Sequence, residues 1–144
     1  MKLSVFRGRS QRGIGMIEVL IAMVVVAVGV LGISRMQVTM LRNNQSALLR
    51  SQASILAYDM IDRMRADRQG AIAGDYDHTL GDTAPGTATV AAAQLSQWLT
   101  TLDSTLPAGD GGVSRNGQVV QVTVRWNDSR GQEAPLVFTT AVEL

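Results

Sequence analysis

Hydrophobic positions along this chain change their pattern three times. From Ile14 to Ile33 every residue is apolar or glycine except Glu18. Twenty such residues at 1.5 Å rise make a helix ~30 Å long, the thickness of a bilayer core, so the pattern predicts a membrane-crossing helix. From Ser34 to Arg68 there is neither Pro nor Gly, and the pattern becomes amphipathic. Leu49, Ala53, Leu56, Met60 and Met64 recur at helical spacing, with Leu41, Leu48 and Ile55 adjoining, while Arg50, Ser51, Ser54, Tyr58 and Arg65 fall on the other side. The expectation is one long helix whose second half needs a packing partner. Arg63, Arg65 and Arg68 followed by Gly70 predict its end.

Residues 70–89 are rich in Gly, Asp, Thr and Ala and read as an irregular connection. Leu95, Trp98, Leu99 and Leu102 then sit at i, i+3, i+4 and i+7, which predicts a second helix over Val90–Thr105, stopped by Pro107 and the following glycines. Beyond it the period falls to two. Val120, Val122, Val124 and Trp126 alternate with polar residues, as do Leu136, Phe138, Thr140, Val142 and Leu144, and Asn116-Gly117 is a hairpin signal. Strands are expected at Gly112–Arg115, Gln118–Trp126 and Pro135–Glu143. The fold class is therefore α+β: a long N-terminal helix, half membrane and half amphipathic, packed on a small antiparallel β-sheet.

Charge adds orientation to this picture. The formal total is +1, yet residues 1–13 hold Lys2, Arg7, Arg9 and Arg12 and no acid, leaving nine basic residues against twelve acidic ones in the remainder. A basic flank keeps its end cytoplasmic by the positive-inside rule, so the rest is expected outside. A mildly acidic remainder with 4% aromatic residues offers no basic face for nucleic acid. No Cys is present, which excludes disulfides and thiolate metal sites. Asp75, Asp77, His78 and Asp82 form the one cluster with ligand chemistry, but they lack calcium-loop spacing and read as a solvated acidic loop. One His and scattered acids supply no catalytic constellation, so no enzyme, cofactor or metal is expected.

Glu18 remains to be explained, because an ionisable residue within a bilayer costs on the order of 3 kcal/mol. A secretory signal peptide cut after Ala27-Val28-Gly29 leaves it without purpose, and so does a plain signal anchor. A cut between Gly13 and Ile14 gives it one. The new α-ammonium would then begin a helix whose macrodipole already carries roughly half a positive charge there. A carboxylate at the fifth position neutralises that end, in its own chain or in a neighbour, and an unpaired carboxylate among apolar helices would fix their axial stagger.

These residues resemble the class III signal of type IV pilins and type II secretion pseudopilins: a short basic leader ending in Gly13, Ile14 as first mature residue, and Glu18 as acidic fifth residue. The departure is Ile14-Gly15-Met16 where Phe-Thr-Leu is commoner. Ile17-Glu18-Val19-Leu20-Ile21-Ala22, then Gly29-Val30-Leu31-Gly32 and Gln37, is similar to the PilV class of minor pilins, as are the helix end at Ala57–Asp67 and the strand Val122–Asp128.

The resemblance implies a leader (1–13), a membrane and assembly half-helix (14–33), an amphipathic half-helix (34–69) and an extracytoplasmic head (70–144). It implies removal of the leader and N-methylation of Ile14 by the prepilin peptidase, and assembly register set by Glu18. The implied partners are other minor pilins, the major pilin, the assembly platform and a tip adhesin. Such a subunit sits in the inner membrane with a periplasmic head before assembly and in the surface pilus afterwards. A type II secretion pseudopilin is the alternative, ahead of an anchored periplasmic binding protein.

Overall fold

The structure, a computed structural model, describes residues 15–128 and 134–144. Its elements run in the order α1 (Met16–Ala66), α2 (Arg68–Ala73), α3 (Val90–Thr105), β1 (Asp110–Asn116), β2 (Val119–Trp126) and β3 (Leu136–Glu143). This is the expected α+β arrangement, a long N-terminal helix and a three-stranded antiparallel sheet of order β1-β2-β3. The chain divides into two compact units, residues 1–42 and 43–144.

In the first unit α1 is exposed throughout its described length, and it contains a stretch long and apolar enough to cross a membrane. Just beyond that stretch, Ser34 and Thr39 donate their hydroxyls back to the carbonyls of Val30 (2.9 Å) and Arg35 (3.1 Å), so each has a partner within the helix itself.

The second unit holds the core. Leu49, Ala53, Ala57, Met60, Ile61 and Met64 of α1 are buried with Leu95, Trp98 and Leu102 of α3 and with Val120, Val122, Val124 and Trp126 of β2. The buried stripe differs from the expected one at its edges. Leu41, Leu48 and Ile55 are exposed, at 68%, 58% and 63%, while Ala57 and Ile61 are buried in their place. Leu48 stands one residue, about 100°, round the helix from Leu49, and Leu41 and Ile55 lie a heptad to either side of Leu48, so all three face away from the stripe that Ala57 and Ile61 extend.

The helix end also differs. Gly70 does not stop α1 but lies buried inside α2. Asp67 leaves helical geometry (φ −114°, ψ 58°), and its carboxylate accepts from the Gly70 N–H at 3.2 Å, capping α2. The terminator is Gly74, left-handed at φ 92°, whose N–H reaches the carbonyls of Gly70 and Ala71.

Helix α3 has the expected bounds, with the Thr89 hydroxyl accepting from Ala92 N–H at 3.1 Å. The β1–β2 loop is one residue later than the Asn-Gly signal suggests. Asn116 pairs with Val119, which leaves Gly117-Gln118 as the loop, and Gly117 alone has positive φ (65°). That combination of signs belongs to a II′ turn rather than a I′ turn.

Candidate assembly site on the first helix

Gly15 opens α1: its carbonyl accepts from the N–H of Glu18 at 2.9 Å and, at 3.4 Å, from that of Val19. Glu18 is therefore in the first helical turn, where the unsatisfied N–H groups and the macrodipole favour negative charge. Its carboxylate is exposed and makes no hydrogen bond or ion pair with another described residue. Down the same face follow Ala22, Met23, Val26 and Ala27, a wholly apolar surface on which Glu18 is the one ionisable group. The chemistry on offer is a carboxylate presented beside an apolar helix face, suited to a cation that arrives on another apolar helix.

Gly13 and Ile14 lie outside the described residues. Gly29 and Gly32 have nothing within 4 Å of where a Cβ would stand, so a neighbouring helix could approach their backbone.

Asp75, Asp77 and Asp82 are exposed, and among the described residues no three His, Asp or Glu side chains converge as metal ligands. His78 is used by its backbone, exchanging two 2.9 Å hydrogen bonds with Val113 on the outer edge of β1.

At the end of α1, Arg63 pairs with Asp59 and Arg65 with Asp62, each at 2.9 Å. Both are short-range pairs on an exposed or part-exposed helix surface and contribute little to stability. Asp67 is different, because besides capping α2 it meets the hydroxyl of buried Tyr76 at 3.2 Å, and that hydroxyl lies 2.7 Å from Gln94 Oε1. Burial first, then the Asp67 carboxylate, pushes the Tyr76 phenol up to about 12. Nothing in the sequence pattern marks this cluster, since its three members are far apart in the chain and none repeats with a period.

Residues 8–34 match the family model described as the prokaryotic N-terminal methylation motif. No curated protein and no solved structure matches the chain. The matched stretch covers part of the basic N-terminal sequence and the apolar start of α1, so the class III signal of type IV pilins and pseudopilins is present here. That signal supports a type IV pilin or pseudopilin. The apolar, exposed helix near the N-terminus agrees with a membrane-anchored subunit.

Proposed function

We propose that this chain is a minor pilin of the PilV class, cut between Gly13 and Ile14, methylated on Ile14, and joined with other minor pilins in the complex that primes type IV pilus assembly and forms its tip. In this reading residues 1–13 are the leader, 14–33 the membrane and assembly half of the helix, 34–69 its amphipathic half and 70–144 the periplasmic head. Before assembly the subunit is held in the inner membrane; afterwards it belongs to the pilus, against the major pilin and a tip adhesin.

The observation that carries this reading is the matched signal at residues 8–34 with Glu18 in the first turn of α1. The carboxylate of one subunit meets the Ile14 ammonium of its neighbour and sets their stagger. Glu18→Gln keeps shape and hydrogen-bond acceptance while removing charge. It should leave membrane insertion and leader removal intact and weaken crosslinks to other minor pilins about tenfold or more, since stranding a buried charge costs a few kcal/mol. Unchanged crosslinks would overturn the register role. Crosslinks to secretion pseudopilins instead of minor pilins would move the chain to that class.

A further inference from the structure

The two edges of the sheet are not alike. The β1 edge is occupied at Val113 by the His78 backbone, whereas among the described residues β3 pairs only with β2. The phase of that pairing shows which groups are left open. Leu144 N–H donates to the Gln118 carbonyl at 3.0 Å, and the ladder continues unbroken from Val119↔Glu143 to Trp126↔Leu136. In an antiparallel pair hydrogen-bonded positions alternate, so Leu136, Phe138, Thr140 and Val142 turn their N–H and C=O groups toward β2. Val137, Thr139, Ala141 and Glu143 turn theirs outward.

This edge carries few of the features that usually blunt one: its register has no bulge, Glu143 at its end is its one charged side chain, and its only Pro neighbour, Pro135, precedes it. The layer beneath is incomplete as well. Inward residues of β2 are fully buried, but Leu136, Phe138, Val142 and Leu144 are only half-buried. A further strand whose inward residues are apolar would cover them.

We infer that β3 is a strand-addition site, taking an extended segment of another polypeptide that pairs antiparallel with Val137, Thr139, Ala141 and Glu143. The chemistry of that segment follows from the edge. Its inward residues alternate as apolar side chains over Phe138 and Val142. Its outward residues are small and uncharged opposite Thr139 and Ala141, and a Lys or Arg stands opposite Glu143, the one charge on the strand. Leader removal and the Glu18 register do not depend on this edge, so its failure would leave the proposed function standing.

The test uses the full chain in detergent micelles and a short synthetic peptide of alternating valine and threonine with one lysine placed opposite Glu143. Amide hydrogen exchange is followed residue by residue along β3. The expected result is that peptide slows exchange at Val137, Thr139, Ala141 and Glu143 by about tenfold or more and leaves Phe138 and Thr140 unchanged. A twin peptide, N-methylated at the amides facing β3, should give no protection. Ala141→Pro removes one outward N–H without touching a bond to β2, and Thr139→Lys places charge on the edge; each should abolish the protection. Equal protection by the twin peptide, protection outside the four residues, indifference to both substitutions, or no protection at the highest soluble peptide concentration would each overturn the inference.

Discussion

The indole N–H of Trp98 donates to the backbone carbonyl of Leu56 at 2.8 Å, joining α3 to the middle of the buried half of α1. Ala53 and Ala57, both fully buried, flank that carbonyl, and their small side chains let a large ring come so close to a helix backbone. On its other side the ring lies over Gly111, where a Cβ would run into Trp98 Cη2 and Cζ3 and into Leu102 Cδ1.

Two substitutions separate the parts of this contact. Trp98→Phe removes the hydrogen bond and part of the ring and should cost about 1–3 kcal/mol. Gly111→Ala adds one methyl where no space exists and should cost about as much or more, through overpacking. Unfolding of the head in the detergent-solubilised full chain, followed by circular dichroism, measures both. A neutral Gly111→Ala would show that the sheet shifts away from α3 freely.

Tyr76 links the break after α1 to α3. Its hydroxyl has a single proton for two acceptors, and turning the Gln94 amide satisfies all three groups: Gln94 then donates to the phenol oxygen and the phenol donates to Asp67. With the folded-state value near 12 against 10 unfolded, the protonated phenol stabilises the fold fully below pH 10. That contribution, about 2–3 kcal/mol at 1.36 kcal/mol per unit, is lost as pH rises from about 10 to 12. Tyr76→Phe should lower stability by about 1–2 kcal/mol at neutral pH and flatten its alkaline decline over that window. An unchanged alkaline slope in the variant would mean that another group carries it.

Gly74 should tolerate no side chain. It ends α2 at φ 92°, and a Cβ there would press between Asp77 Oδ2 and the Arg115 guanidinium, at 3.0 and 3.1 Å. Gly74→Ala is expected to cost about 1–2 kcal/mol, read by the same unfolding measurement, whereas Gly86→Ala, at a glycine with open space and no positive φ, should be neutral.

What could be read from the sequence and what could not divide along physical lines. Helix α3 and the alternation of β2 are legible because burial on one side imposes a period on consecutive residues, and Thr89 marks a helix start locally. The end of α1 is not, because the helix breaks at Asp67 rather than at Gly70, and the Asp67 carboxylate that caps α2 there is held by Tyr76 and the Gly70 N–H only after folding. Likewise Leu48 and Ala57 exchange roles, since hydrophobicity favours leucine for the core while close approach of Trp98 requires alanine at the contact. Glu18 is legible for the opposite reason: a lone carboxylate in twenty apolar residues has a cost that can be reckoned without any structure. The Tyr76–Asp67–Gln94 cluster carries no such local signature.

Most central to the proposed function is a mature N-terminus at Ile14. Intact-mass measurement and N-terminal sequencing of the protein extracted from membranes of a cell with an active prepilin peptidase test it most directly. The account predicts loss of residues 1–13 and one added methyl on Ile14, with full-length protein accumulating in Gly13→Ala. A mature chain beginning at Val30, or a full-length chain in the presence of active peptidase, would contradict it.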